Sequence, residues 1–151
     1  MLETRPGYGV YYGLAKLLGL PLDIGPVDWV TLRRHRTSND ALVAPARHCP
    51  KAKADREPKV YAASPQELLA RLKAITLSEP RTRELSGAPN ALAARFLQHT
   101  RLMRFPDTID AQVLPAGDKQ STLAIYSRSL IGRKDFGVNR ARVERWFAAL
   151  G

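Results

Sequence analysis

The residues best placed to do chemistry lie between Ser127 and Arg142. They are Ser127, Arg128, Ser129, Gly132, Arg133, Lys134, Asp135, Gly137, Asn139 and Arg142. Glycines bracketing a basic run ahead of a helix start are one way to present free backbone N–H groups to an anion. Arg128, Arg133 and Lys134 would add positive charge, and Asp135 would order the loop by accepting from Arg128 or from backbone amides. A simpler arrangement uses the same residues: Arg128 and Asp135 pair and pin the loop, with no ligand. The sequence favours the pin. Ser127 and Ser129 are hydroxyl nucleophiles in type only, because no Gly-x-Ser-x-Gly elbow, paired carboxylates or metal spacing accompanies them. No enzymatic activity and no cofactor are expected.

Elsewhere, His48 and Cys49 are adjacent, and His35 and His99 stand alone. Without a Cys-x-x-Cys or His-x-x-x-His partner, no metal site is expected. Cys49 is the only cysteine. A catalytic role would need a base brought by the fold, and the sequence specifies none.

The elements that must position Ser127 to Arg142 read as a strand, a loop and a helix. Leu123 and Ile125 alternate with Thr122, Tyr126 and Arg128, the period of a half-buried strand. Beyond the loop, Asn139 suits an N-cap, with Val138 and Val143 at staple spacing. Val143, Trp146, Phe147 and Leu150 then form one apolar face, and Arg142, Glu144 and Arg145 fall largely outside it. Upstream, Ser64-Pro65-Gln66-Glu67 carries the capping-box spacing with proline at the first helical position. Leu68, Leu69, Leu72 and Ile75 continue that helix to about Thr76. Strands are expected at Val60–Tyr61, Arg81–Leu85, Arg95–Phe105 and Ile109–Val113, with a hairpin turn at Pro115–Asp118. Short turns between successive strands predict an α+β domain over residues 58–151. Its antiparallel sheet would have about four to five strands, with two helices on one face.

Residues 1–57 read as a long, largely irregular N-terminal arm, punctuated by Pro21, Pro26, Pro45 and Pro50. A short helix is expected over Tyr8–Gly19, with Val10, Leu14, Leu17 and Leu18 on one face and Tyr11 and Tyr12 near it. Together with Tyr8, Trp29 and the basic run Arg33, Arg34 and Arg36, these residues are the candidates for docking a partner; the plainer readings, which the sequence favours, are a helix packed on the domain and a solvated charge cluster.

The chain has 151 residues, and its 24 Lys and Arg against 14 Asp and Glu give a net charge of +10. Such a balance bears on partners rather than on fold. Met1 to Gly9 contains Glu3 and lacks a basic start, so no secretory signal is expected. The apolar stretch Gly7–Leu22 is shorter than the ~20 residues of a spanning helix. One cysteine fits a reducing cytosol.

The motif Ser127-Arg128-Ser129-x-x-Gly132-x-x-Asp135-x-Gly137-Val138-Asn139-x-x-Arg142 resembles the signature of the domain-of-unknown-function family 1499. Arg104-Phe105-Pro106-Asp107 is similar to that family's Phe-x-Asp segment. The resemblance spans Pro58 to Leu150 and is strongest over Ser127 to Arg142. His48-Cys49-Pro50-Lys51 departs from the Asn-Cys-Val-Ser-like stretch of relatives. The resemblance implies a small α+β protein and no known chemistry. It also implies surroundings beside membranes, such as respiratory or photosynthetic electron-transport complexes.

The combined expectation is a basic, non-enzymatic accessory protein, cytoplasmic or peripheral on the inner face of a membrane. Its partner would be an acidic protein surface, a membrane-associated complex or anionic lipid. The alternative is an anion or headgroup site at the Arg128–Asp135 loop. Nucleic acid fits the charge, but no recognition motif is present.

Overall fold

In the computed structural model, residues 17–18, 23–34, 39–130 and 134–151 are described. The ordered elements run β1 (Asp40–Val43), α1 (Pro65–Ser78), β2 (Thr82–Leu85), β3 (Ala93–His99), β4 (Pro106–Gly117), β5 (Gln120–Ser129) and α2 (Val138–Leu150). One five-stranded sheet has the order β1-β5-β4-β3-β2, with each neighbouring pair antiparallel. The α+β class and the antiparallel sheet with two helices are therefore as expected.

Helix α1 starts where its capping box dictates. Ser64 accepts from the Glu67 N–H at 3.2 Å, and Glu67 accepts from the Ser64 N–H at 2.9 Å. Leu68, Leu69, Leu72 and Thr76 are buried, and the helix stops at Glu79, just before Pro80. Helix α2 buries Val143, Trp146, Phe147 and Leu150 on the same face of the sheet. Sheet residues Ala94, Phe96, Ile109, Ala111, Val113, Leu123 and Ile125 complete that core. Full burial of a side chain such as Phe96 or Leu72 contributes about 2–3 kcal/mol.

The opposite sheet face is covered too. Leu42, Ala44, Ala124 and Tyr126 pack with Val27, Leu32 and Cys49 in a second cluster, flanked by Trp29, Ala52 and Ala54. Polar ties hold the cover down. Val27 N–H donates to Asp110 at 3.2 Å, and Arg95 pairs with both Asp110 and Asp23. Arg34 bridges Asp40 and Asp55 at 2.8 Å each.

These contacts lay the described part of the expected arm over the sheet and add a strand that was not expected. Asp40–Val43 is an edge strand in register with β5, and described residues between Asp23 and Glu57 form a layer on the sheet. β1 shows no alternation because three of its four residues are buried, so neither face was left polar. The expected short helix lies outside the described residues except for Leu17 and Leu18, both exposed. Tyr8, Tyr11, Tyr12, Leu14 and Arg36 also lie outside them.

Further boundaries shift. The strand expected over Arg95–Phe105 is β3 and ends at His99, and β4 starts at Pro106 rather than Ile109. Tyr61 forms only an isolated bridge to Ser121. β4 continues through the expected turn, and the β4–β5 hairpin closes at Gly117–Gln120 instead. Gly117 has φ 133°, a backbone conformation that residues with a side chain rarely adopt, so the turn favours glycine there.

Candidate functional site

The first turn of α2 lies over the ends of β3, β4 and β5, and a polar cluster sits between them. Asn139, Arg142, Val143 and Trp146 recur at helical spacing, so one inward stripe begins polar and ends apolar. Asp107 and Ser127 sit two residues before Ile109 and two after Ile125, on the strand faces that meet the helices. Helix and sheet periodicities thus deliver opposite charges to one buried point.

Arg142 is at the centre and is 1% exposed. Its Nη2 donates to Asp107 Oδ2 at 2.7 Å, and its Nε donates to Gln98 Oε1 at 2.6 Å. Nη1 donates to Ser127 Oγ at 2.9 Å and to Asn139 Oδ1 at 2.8 Å. Ser127 donates to Asn139 Oδ1 at 2.6 Å. The Asn139 amide nitrogen lies within donating distance of Asn39 O, Ser129 Oγ and Asp135 Oδ2. Burial pushes the Asp107 carboxyl upward from its ordinary range, and Arg142 pulls against that shift. Each nitrogen of the guanidinium has a partner within the fold, whereas Asp107 Oδ1 is buried without a hydrogen bond among the described residues.

The cap is not the expected one. Gly137, with φ 80°, is the N-cap residue, and Asn139 lies inside the helix. Asp135 does the capping: it accepts from Gly137 N–H at 2.8 Å and Asn139 N–H at 3.1 Å. With the N-cap at Gly137, Val138 falls at the first helical position rather than ahead of the cap, so it does not hold the expected staple position, and it is 40% exposed. Arg142, expected outside the apolar face, is buried because Asp107 and Gln98 supply partners that single-residue polarity could not reveal.

Arg128 does not join this cluster. It projects from the opposite sheet face, with its guanidinium 5.4 Å from the Tyr126 ring and Nε 3.5 Å from Thr108 Oγ1. Asp135 is therefore held by backbone and Asn139 amides, the second of the two roles expected for it. Ser129 joins through Asn139, Lys134 is exposed, and Gly132 and Arg133 lie outside the described residues.

Among the other expected docking residues, Trp29 is half-buried with its ring 5.3 Å from His48. Arg33 is exposed, whereas Arg34 is consumed by Asp40 and Asp55. Cys49 is buried, and burial pushes its thiol upward, away from the reactive thiolate. A cavity of about 220 Å³ beside it is lined mainly by Ala44, Pro45, Ala52 and Ala54, with Arg47 and Arg56. Among the described residues no group of three or more metal-ligating side chains occurs, and no helix is long and apolar enough to cross a membrane.

Sequence reasoning missed Gln98 and Asn39 and did not give Asp107 a partner. The signal for Asp107 was present: it shares strand parity with Ile109, Ala111 and Val113, and a carboxylate on an apolar face demands a buried cation.

A five-stranded antiparallel sheet, two helices on one face and a buried Arg–Asp–Asn clamp under the last helix define a small α+β domain. The chain belongs to the family described as protein of unknown function (DUF1499), which it matches over residues 33–150. That span includes β1, whereas the motif resemblance began at Pro58. No curated protein matches the chain.

Proposed function

We propose that this protein is a non-enzymatic accessory protein that docks, through surface cations, on an anionic membrane-associated partner. The carrying observation is how its positive charge is divided. Arg34, Arg56, Lys73, Arg95, Arg142 and Arg145 each face a carboxylate. Arg33, Lys51 and Lys53 are exposed around one shallow depression without a carboxylate partner among the described residues. Cations already paired within the fold are poor recruits for a partner, whereas unneutralised ones attract and orient it.

The structure favours this reading over an anion site at the Arg128–Asp135 loop. Asp135 occupies the amides of α2's first turn, and Arg128 lies on the other sheet face. The inner face of an energy-converting membrane is the setting that the family resemblance suggests.

The test is affinity capture of the full chain from detergent-solubilised membranes, beside an Arg33→Glu, Lys51→Glu, Lys53→Glu variant. The wild type should retain an acidic membrane fraction in a salt-sensitive way, and the variant should lose it with unfolding behaviour unchanged. Recovery of free protein alone would sink the reading, as would preferential retention of nucleic acid.

A further inference from the structure

We infer that the sheet end carrying Arg101–Arg104 and Lys134–Phe136 is a bilayer-contacting surface, which presses the apolar side chains of Leu102, Met103 and Phe136 into an anionic lipid interface. The inference rests on the docking function above and names its lipid partner and the residues that touch it.

The two loops leave neighbouring strands at the same end. Asp107 pairs with Ser129 across β4 and β5, and Leu130 N–H donates to Pro106 O at 3.1 Å. Among the described residues of these loops, Leu102 is 90% exposed, Met103 65% and Phe136 95%. The first two stand in the run Arg101-Leu102-Met103-Arg104, and Lys134 precedes Phe136 by two residues. Phe136 and Arg104 both have positive φ, at 53° and 55°. A bulky residue held in that backbone region with no packing in return is an outlier that points to use elsewhere.

Charge at this end is one-sided. Its carboxylates are already engaged: Asp40 with Arg34, Glu79 with Arg145, Asp107 with Arg142, and Asp135 with the α2 amides. Arg101, Arg104 and Lys134 are exposed, with no acidic partner among the described residues. His99 registers the local field: burial, then Arg83, Arg104 and Arg81, hold it down at about 4.

Lipid fits this arrangement better than a protein groove. Two separate convex tips would each need a complementary pocket on a rigid partner, whereas a fluid layer adapts to both. Arginine stems reach along apolar surface while their charged heads stay at phosphate level. Apolar side chains inserted to the acyl boundary with flanking cations are the usual elements of interfacial binding.

The probe is sedimentation of the full chain with phosphatidylcholine vesicles, with and without phosphatidylglycerol. Binding should require the anionic lipid. A Leu102→Ser, Met103→Ser, Phe136→Ser variant should bind about tenfold more weakly or worse, given the transfer cost of such side chains. Arg101→Gln with Arg104→Gln should weaken binding by several-fold. Thermal unfolding identical to wild type confirms that each variant folds. Phe136→Trp provides a second readout: brominated lipid should quench the added indole beyond any change shown by Trp29 and Trp146 in wild type.

Equal binding by wild type and the serine variant would overturn the insertion and leave charge-driven docking standing. No vesicle binding, alongside capture of an acidic membrane protein, would likewise overturn it and assign the cations to that protein. Failure of both vesicle binding and membrane capture would remove the docking function itself.

Discussion

One end of the sheet holds arginines in two opposite settings, one buried under α2 and one on the β3–β4 loop. Under α2, Arg142 is buried against Asp107, with Gln98, Ser127 and Asn139 completing its hydrogen bonds. Outside, Arg101 and Arg104 flank exposed Leu102 and Met103 with no carboxylate between them. The inner arginine is part of the solution to folding, because a buried charge is tolerated only when its partners are fixed. The outer pair contributes little to folding and leaves its charge to the surroundings. A net charge of +10 is thus a poor guide by itself, since the cations divide between these two uses.

The comparison is broken most forcefully by removing one side of the inner pair. Asp107→Asn or Arg142→Met should each destabilise the domain by about 3–5 kcal/mol, measured by denaturant unfolding. That is a large share of the ~5–15 kcal/mol that holds a domain together. The double variant Asp107→Asn, Arg142→Met should cost less than the sum of the singles, because neither leaves an isolated charge. Additive losses would mean that the two groups are not coupled and that the inner cluster is ordinary packing. The Arg101 and Arg104 changes should alter unfolding by no more than about 0.5 kcal/mol.

Legibility in the sequence follows the same division. Local signals were easily read: the Ser64–Glu67 box, the Leu123–Ile125 alternation and the Val143–Leu150 stripe each depend on neighbours within one turn or one strand. Long-range pairing was not. β1 becomes a strand because β5 offers it an edge, and nothing in Asp40–Val43 alone says so. Arg34 looks like part of a solvated basic run until the fold brings Asp55 to it. Asn139 looks like a cap because its type suits one, yet Asp135 reaches the free amides first and Asn139 turns inward. The motif from Ser127 to Arg142 marked the right residues for the clamp. It did not reveal that Arg128 points away, although strand parity with Tyr126 already placed it on the other face.

A smaller effect is expected at the point where the inner cluster meets solvent. Asp135→Ala removes the acceptor for Gly137 and Asn139 N–H and frees one Asn139 side-chain contact. Loss of a helix cap costs about 1 kcal/mol, up to 2 in the most favourable settings. Calorimetry should show a fall of a few degrees in Tm, with vesicle and partner binding retained. Unchanged Tm combined with lost binding would move Asp135 from the folding side of the comparison to the docking side.

The finest probe is His99, which faces the outer arginines. Its ordinary value of 6.5 falls to about 4, through burial first and then Arg83, Arg104 and Arg81. A group with a lowered folded value binds fewer protons folded than unfolded. His99 therefore leaves stability untouched above about pH 6.5 and lowers it progressively as pH falls toward 4. NMR titration of the imidazole should give a midpoint near the lower figure. Arg104→Gln should raise that midpoint, because one repelling cation is gone, whereas Lys51→Gln, among the cations of the Arg33 depression, should leave it in place. If Arg104→Gln does not move the midpoint, burial with Arg83 and Arg81 accounts for it, and Arg104 adds less to the field at the loop end than its exposed position suggests.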